Sequence, residues 1–324
     1  MPLKTFAFIH PLDESQARWF RAAMPDVEFL LPRGGAVWPE GLERAEAAAI
    51  SWDSPPIDDV LAAAPALQWL HQRGAGIDRI VTARLVGGDV ILTNGSGNHA
   101  PSIAEHVVGM MLAFARQLPA LVRAQQERRW QPPDTSTLFE LSGQTLAVVG
   151  FGAIGSTLAE RAAALGMKIF GVRRSTAEGS LPPGVAAMFT KDRLDDALHD
   201  ADHVVVSLPL TSETHGLFST ARLAAMKRGA YLYNVGRGAL VDPAALLTAL
   251  RSGQLAGAGL DVTEPEPLPA DSPLWAEPNV LITAHSSGLT PRSYERYRAL
   301  LLDNMQRFSR GETLVNIVDK RLGY

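Results

Sequence analysis

The chain has 324 residues, which is too long for one small core and typical of two domains. Its composition is ordinary for a globular protein, with 46% apolar and 20% charged residues, and the formal net charge of −4 argues against a nucleic-acid partner. Cysteine is absent, which excludes disulfides, thiolate nucleophiles and cysteine-ligated metal sites.

The N-terminal segment carries neither a long apolar run nor a cleavage pattern, so it does not look like a secretory signal. No uncharged apolar run in the sequence reaches the length needed to cross a membrane. We therefore expect a cytoplasmic protein without a membrane partner.

The first third of the chain alternates predicted strands with predicted helices. The strands are predicted at 4–9, 27–31, 47–51, 67–70 and 90–93, and the helices at 15–23 and 57–64. This alternation predicts a parallel sheet with helices on both faces. A loop of Asn, Gly and Ser follows at 94–98.

A long helix is predicted to begin at Pro101, because proline is favoured in the first helical turn. Its buried face is predicted to comprise Ile103, Val107, Met110, Met111, Phe114 and Leu118. Pro132 and Pro133 then mark a linker.

Residues 145–174 form the most informative segment of the sequence. An apolar run at 145–149 leads into Gly150-Phe151-Gly152-Ala153-Ile154-Gly155, a predicted helix ends at Leu165, and a second apolar run covers 168–172. This order is typical of a dinucleotide-binding βαβ unit, whose three glycines allow a tight turn, a close approach to the pyrophosphate and close packing of helix on strand. The N-terminus of the helix would face the pyrophosphate.

The residues that end the second strand of this unit indicate which dinucleotide is bound. An NAD site usually has an acidic residue here to accept from the ribose 2′-OH, whereas this chain has Arg173, Arg174 and Ser175. Two guanidinium groups and a hydroxyl suit a 2′-phosphate. We therefore predict that NADP is preferred and that NAD remains usable.

The remaining predicted strands bring polar residues to one edge of a sheet. They cover 204–208, 231–235, 257–262 and 280–283, and a helix is predicted at 291–309. Ligands bind at the carboxyl ends of parallel strands. Arg237 follows the second of these strands, Asp261, Glu264 and Glu266 lie at or just after the end of the third, and His285 follows the fourth. An arginine can bind a carboxylate with two hydrogen bonds, and a histidine beside a carboxylate can transfer a proton.

These motifs resemble those of the D-isomer-specific 2-hydroxyacid dehydrogenase family over nearly the whole length of the chain. The segments that carry the resemblance are Gly74-Ala75-Gly76-Ile77-Asp78, Thr93-Asn94-Gly95, Ala104-Glu105-His106, Gly150 to Gly155, Leu208-Pro209-Leu210-Thr211, Asn234-Val235-Gly236-Arg237-Gly238, Gly259-Leu260-Asp261-Val262, Glu266-Pro267-Leu268 and Thr283-Ala284-His285. The resemblance implies an enzyme that transfers a hydride between NAD(P)H and a small 2-oxo acid, giving a D-2-hydroxy acid.

The resemblance also implies a role for each matching residue. Arg237 would bind the substrate carboxylate and carbonyl, His285 would be the acid and base, and Glu266 would be its carboxylate partner. The N–H groups of Gly74, Ala75 and Gly76 would hold the substrate carboxylate. The implied cofactor-binding residues are Gly150, Gly152, Ala153, Ile154, Gly155, Pro209, Thr211, Val235 and Asp261.

The family fold implies two Rossmann-like or flavodoxin-like parallel-sheet domains, with the nucleotide domain inserted into the substrate domain. Residues 1–98 with 289–324 would form the substrate domain, and residues 99–288 the dinucleotide-binding domain. A homodimer is expected from the same resemblance. Trp52, Arg73 and the loop 286–290 are predicted, by position, to face the variable end of the substrate.

Several alternatives stay open at this point. Glu264 could replace Glu266 as the partner of His285, and Glu105 with His106 could suggest a metal site, although we expect a packing or capping role and no metal. The chain could also be a nucleotide-sensing regulator similar to the C-terminal-binding-protein corepressors. Within the enzymes of this fold, formate dehydrogenase and phosphoglycerate dehydrogenase are alternatives.

Overall fold

The computed structural model describes residues 2–32, 38–174 and 181–324. The chain divides into two compact units, one formed by Met1–Asn98 with Thr290–Tyr324 and the other by His99–Leu289. Each unit has its own parallel sheet and its own core, which confirms the predicted fold class.

The first unit is built on a five-stranded sheet in which all neighbouring strands are parallel. The strands are β1 (Thr5–Phe8), β2 (Glu28–Leu30), β3 (Ala47–Ile50), β4 (Trp69–Gln72) and β5 (Ile91–Asn94), in the order β2-β1-β3-β4-β5. β1, β3 and β4 are buried along their whole length, as expected for a sheet covered on both faces. The fourth strand begins two residues later than the sequence predicts.

Helices cover both faces of this sheet. They are α1 (Glu14–Ala23), α2 (Ile57–Ala63), α3 (Ala83–Gly87) and the last helix of the chain, α10 (Pro291–Arg310). Asp13 and Gln16 form a capping box at the start of α1, and Thr290 and Ser293 form one at the start of α10. The tail after α10 returns to β5, where the Val318 N–H donates to Leu92.

The second unit is built on a seven-stranded parallel sheet. Its strands are β6 (Thr145–Val149), β7 (Lys168–Arg173), β8 (Val185–Thr190), β9 (His203–Val206), β10 (Ala230–Asn234), β11 (Leu255–Leu260) and β12 (Val280–Ile282), in the order β12-β11-β10-β9-β6-β7-β8. The strand order reverses between β6 and β9, and ligands of open α/β sheets bind at such a switch point. β8, at the edge of the sheet, was not predicted from the sequence.

The helices of the second unit are α4 (Ala100–Ala115), α5 (Leu118–Gln126), α6 (Ala153–Ala164), α7 (Leu194–His199), α8 (Thr220–Ala225) and α9 (Pro243–Arg251). The prediction of one helix through Leu118 is wrong. Gln117 has a left-handed backbone with φ of +55°, so α4 ends and α5 begins in another direction. Leu118 is consequently 47% exposed instead of packing on the core.

No single helix within 2–32, 38–174 and 181–324 is long and apolar enough to cross a membrane. α4 and α5 pass that test only as a pair, and their axes are bent by 70° relative to each other.

Candidate active site

The turn between β6 and α6 depends on glycines. Gly150 has φ of +104°, and a Cβ atom there would lie 2.7 Å from the carbonyl of Ser207. A Cβ atom on Gly155 would collide with the carbonyl oxygen of Gly150. The Ser207 hydroxyl donates to that same oxygen over 2.8 Å. Strand, turn and helix therefore pack at backbone distance, as a dinucleotide-binding unit requires.

The N-terminus of α6 offers donors that the chain itself does not use. Gly152 precedes the helix in an extended conformation, with open space where a side chain would stand. The N–H groups of Ala153, Ile154 and Gly155 donate to no residue that the structure describes. Together with the positive end of the helix dipole, these N–H groups fit the pyrophosphate of a dinucleotide.

The end of β7 carries a cation with an unused donor. Arg173 is half-buried, and its Nε atom is buried without a hydrogen-bond partner among the described residues. Burying such a donor costs free energy unless a ligand or water satisfies it. Arg174 is exposed, and Ser175 lies outside the described residues.

The loop after β9 is shaped by a residue that the motif search did not select. The Thr214 hydroxyl donates to the carbonyl of Pro209 over 2.7 Å and accepts from the N–H of Thr211 over 2.8 Å. These two hydrogen bonds fold the Pro209–Thr211 segment into a fixed loop at the switch-point edge of the sheet.

Arg237 lies in a tight turn directly after β10. The buried Asn234 side chain donates to the Arg237 carbonyl over 2.8 Å and accepts from the N–H of Gly236 over 3.1 Å. A Cβ atom on Gly238 would collide with the carbonyl of Thr263 in the loop that follows β11. The half-buried guanidinium donates to Gly236 O over 2.9 Å. The turn thus holds the arginine at the carboxyl end of its strand.

His285 and Glu266 are in direct contact. Nδ1 of His285 lies 2.6 Å from Oε1 of Glu266, and the two side chains are 50% and 33% exposed. Glu264 is exposed and makes no contact with this histidine. The contact through Nδ1 leaves Nε2 of His285 without a partner within the described chain, so Nε2 is free to exchange a proton with a ligand.

The backbone of His285 is held in an unfavourable conformation. Its φ of +49° lies in the left-handed region that a non-glycine residue rarely adopts. The His285 N–H donates to Asp261 O over 2.8 Å, and the Asp261 carboxylate accepts from the backbone N–H groups of Ser286 and Ser287 over 3.0 and 3.2 Å. Asp261 itself is only 2% exposed. It therefore fixes the loop on which His285 lies.

A third side chain extends this network. The Thr283 hydroxyl donates to Asp261 Oδ1 over 2.6 Å, and Nε2 of His106 lies 3.1 Å from that hydroxyl. Because the hydroxyl has one proton and gives it to Asp261, His106 must donate from Nε2. Glu105 pairs instead with Arg161 over 3.5 Å. Among the described residues, no group of three or more His, Asp or Glu side chains could hold a metal ion.

The Gly74–Gly76 loop of the first unit presents unused N–H groups. Its carbonyls accept from the chain: Gly74 O from Gly95 N over 2.9 Å, and Ala75 O from the Asn94 side chain over 2.9 Å. The N–H groups of residues 74–76 donate to no residue in the described ranges. Successive free N–H groups of this kind form an anion-binding concavity.

Other histidines are buried for structural reasons. Burial lowers the pKa of His10 to about 4, that of His71 to about 3 and that of His203 to about 4. Nδ1 and Nε2 of His203 contact the Tyr233 hydroxyl and Gln144 Oε1 over 3.1 and 2.5 Å. These rings are neutral parts of the core at physiological pH.

Comparison with known proteins agrees with this arrangement. The family model described as "D-isomer specific 2-hydroxyacid dehydrogenase, NAD binding domain" matches residues 108–287. A glyoxylate reductase of Korarchaeum cryptofilum is 34% identical over 282 residues, which are 85% of this chain and 83% of that protein. A D-3-phosphoglycerate dehydrogenase of Mycobacterium tuberculosis is 33% identical over 95% of this chain, but the match spans only 55% of that longer protein.

Two solved structures have the same fold over the whole chain. The D-isomer specific 2-hydroxyacid dehydrogenase of Xanthobacter autotrophicus, in complex with NADPH and MES, has a TM-score of 0.86 and 35% identity and covers 99% of this chain and 100% of that one. The NADPH-dependent glyoxylate/hydroxypyruvate reductase of Sinorhizobium meliloti, in complex with NADP and sulfate, has a TM-score of 0.86 and 28% identity with the same coverage.

Proposed function

The chain belongs to the D-isomer specific 2-hydroxyacid dehydrogenase family, and we propose that it is an NADPH-preferring reductase of small 2-oxo acids. As a member of this family it is an NAD(P)-dependent oxidoreductase that transfers a hydride between the nicotinamide and the carbonyl of a 2-oxo acid. The observation that carries the proposal is the contact between His285 and Glu266 beside the carboxyl end of the sheet that bears the glycine turn.

We assign the two chemical tasks to different parts of the chain. Residues 99–288 bind the dinucleotide, and residues 1–98 with 289–324 bind the substrate. The glycine turn and the free N–H groups at the start of α6 support the first assignment. The free N–H groups of the Gly74–Gly76 loop support the second.

The preference for NADP is supported by the end of β7. Arg173 has a buried donor without a partner among the described residues, and Arg174 follows it. A guanidinium can donate two parallel hydrogen bonds to the negatively charged 2′-phosphate of NADP. The 2′-hydroxyl of NAD carries no charge and therefore interacts with it more weakly. The NADPH complex of the Xanthobacter autotrophicus relative agrees with this preference. Ser175 is assigned to the same contact on its sequence position alone.

The substrate carboxylate is bound by Arg237 and by the N–H groups of Gly74, Ala75 and Gly76. A guanidinium in the turn after β10 provides a planar pair of donors for this group. The same side chain stabilises the negative charge that develops on the carbonyl oxygen during reduction. The bound nicotinamide supplies the hydride that adds to the carbonyl carbon.

The proton comes from His285. Protonated at both nitrogens, its ring donates from Nε2 to the forming alkoxide, while Glu266 accepts from Nδ1 and stabilises the cation. In the oxidative direction the neutral ring takes the proton back. Asp261, assigned to the nicotinamide carboxamide, already accepts from Thr283, Ser286 and Ser287, so it also positions the histidine.

The homodimer is proposed from exposed apolar side chains in the second unit. Leu118 and Val122 on α5 are 47% and 50% exposed, and Trp130 after that helix is fully exposed. Leu118 and Val122 are four residues apart and therefore lie on one face of α5, and exposed apolar side chains that share a face are typical of a subunit contact. The cytoplasmic location and the absence of nucleic-acid and membrane partners stay predictions.

One assay separates this function from the alternatives. A panel of 2-oxo acids is tested with NADPH and with NADH, and the consumption of the nicotinamide is followed continuously. Sustained consumption with one or more 2-oxo acids, faster with NADPH, is expected. Binding of the dinucleotide without turnover of any 2-oxo acid would favour the nucleotide-sensing regulator.

A further inference from the structure

The carboxyl edge of the five-stranded sheet carries an arginine without an anionic partner. Arg73 follows β4 directly and precedes the Gly74–Gly76 loop. Its side chain is half-buried and forms no ion pair and no hydrogen bond with any residue of the described ranges. A guanidinium that has lost part of its hydration without gaining a carboxylate is unfavourable, unless a ligand supplies the missing charge.

Two aromatic rings of α10 hold this guanidinium in place. Its central carbon lies 5.5 Å from the ring centre of Tyr294 and 5.4 Å from that of Tyr297. The Tyr297 hydroxyl contacts Nε2 of His10 over 3.2 Å, so the second ring is itself fixed. Cation–π contacts orient a guanidinium but leave its N–H groups unpaired. Arg73 is therefore preorganised and keeps its donors for another group.

The surroundings do not neutralise the charge of Arg73. Burial, with a smaller contribution from the nearby Arg73 cation, lowers the pKa of His10 to about 4, so this ring is neutral at physiological pH. Asp53 lies at the same edge, in the exposed loop after β3, but it forms no ion pair with the guanidinium. The Tyr294 hydroxyl is buried without a partner within the described part of the chain. The charge of Arg73 is thus not neutralised by an ion pair with any described residue.

We propose that Arg73 binds a second carboxylate at the far end of the substrate, so that the preferred substrates are 2-oxo dicarboxylic acids. The inference rests on the proposed function, because it takes the first carboxylate to be bound by the N–H groups of the Gly74–Gly76 loop. Arg73 directly precedes Gly74, so the same segment after β4 supplies both binding groups. A guanidinium and a carboxylate match in charge and in planar geometry, which an uncharged alkyl end does not.

The test compares acids of equal chain length. Oxaloacetate is assayed against 2-oxobutanoate, and 2-oxoglutarate against 2-oxopentanoate, at saturating NADPH. The wild-type enzyme should prefer the dicarboxylic acid of at least one pair by about tenfold or more in kcat/KM. Arg73→Gln should reduce that preference to within roughly threefold, mainly through KM, and should leave the uncharged acids almost unaffected.

Two further variants serve as controls. Arg298 is another arginine of the same unit that lies over an aromatic ring, with its guanidinium carbon 4.8 Å from the ring centre of Trp19. Arg298→Gln should leave the preference for dicarboxylic acids unchanged. Arg73→Lys keeps the charge but not the planar donors, so it should retain part of the preference. Activity with the uncharged acids reports that each variant is folded.

The inference is overturned if the wild-type enzyme does not prefer a dicarboxylic acid, if Arg73→Gln keeps the preference, or if Arg298→Gln removes it equally. Calorimetric binding of glutarate, compared with pentanoate, tests the anion site without turnover: glutarate should bind more tightly to wild-type protein and lose this advantage in Arg73→Gln. Equal binding of the two acids to wild-type protein would also overturn it. Failure of every 2-oxo acid to be reduced would instead contradict the proposed function.

Discussion

Both carboxylate oxygens of Asp261 accept hydrogen bonds from Ser287, two residues beyond His285. Oδ1 accepts from the Ser287 N–H over 3.2 Å, and Oδ2 accepts from the Ser287 hydroxyl. The loop that carries His285, whose φ is +49°, is therefore tied to the end of the neighbouring strand β11. The buried Asp261, directly after β11, thus sets the position of His285, the proposed proton donor, in the loop after β12.

Asp261→Asn tests this positioning role. The asparagine amide has one acceptor oxygen and one donor NH2 group. It therefore cannot accept from the N–H of Ser287 at one atom and from the Ser287 hydroxyl at the other, as the carboxylate does. We expect kcat to fall about tenfold or more, while KM for NADPH changes much less because an acceptor oxygen remains. Asp242→Asn, at the N-cap of α9, is the matched control and should change neither constant. Wild-type kcat in Asp261→Asn would refute the role.

Glu266→Gln tests the partner of His285. Loss of the carboxylate removes the charge that stabilises the protonated ring, so the pH–rate profile for reduction should move to lower pH. Glu264→Gln is the matched control, since Glu264 is exposed and does not contact the ring, and its profile should not move. A shift in Glu264→Gln with none in Glu266→Gln would reverse the assignment.

Arg173→Asp tests the choice of cofactor. We expect the wild-type enzyme to prefer NADPH by roughly tenfold to a few hundredfold in kcat/KM, less so as salt is raised, because a partly exposed ion pair is screened. The variant should lose most of its NADPH activity through repulsion of the 2′-phosphate. Arg18→Asp, an exposed charge reversal on α1, should not change the ratio. Equal efficiency with NADH in the wild-type enzyme would contradict the NADP assignment.

His203 makes the second unit sensitive to acid. Burial lowers its pKa from 6.5 to about 4, so the unfolded chain takes up a proton that the folded chain refuses. The free energy of unfolding is unaffected by His203 above its unfolded-state pKa of 6.5. It falls as the pH drops from 6.5 toward 4, by about 2 kcal/mol for this residue near pH 5.

In denaturant titrations, the free energy of unfolding of His203→Gln should depend less steeply on pH than that of the wild type. The control His199→Gln, at a side chain that is 81% exposed, should keep the wild-type slope. Parallel slopes in all three proteins would contradict this origin.

The parallel sheets could be predicted because their strands are short apolar runs separated by clear breakers. Most predicted strands lie within one or two residues of the observed ones. β8 escaped prediction because it lies at the edge of the sheet and is mostly half-buried, which weakens its apolar pattern. The break after α4 escaped because nothing in the side chain of Gln117 signals a left-handed backbone.

The charged residues of the candidate site were selected from motifs, but the residues that hold them were not selected for that role. Asn234 lies in a motif segment and Ser287 in the loop 286–290, yet these two and Thr214 act through hydrogen bonds whose partners become known only once the loops are folded. Ser, Thr and Asn are common in loops, so their presence alone indicates nothing specific. The sequence therefore indicated the candidate residues for proton transfer and carboxylate binding, but not the hydrogen bonds that position them.

If His285 supplies the proton and Arg237 binds the substrate carboxylate during reduction of a 2-oxo acid, replacing either residue should impair turnover but not cofactor binding. The most direct measurement compares kcat, KM for the 2-oxo acid and the dissociation constant of NADPH in wild type, His285→Ala and Arg237→Ala. His285→Ala should lose kcat by about a hundredfold or more, and Arg237→Ala should lose kcat and raise KM together. Both should bind NADPH like the wild type. Wild-type turnover in either variant would contradict the role proposed for that residue.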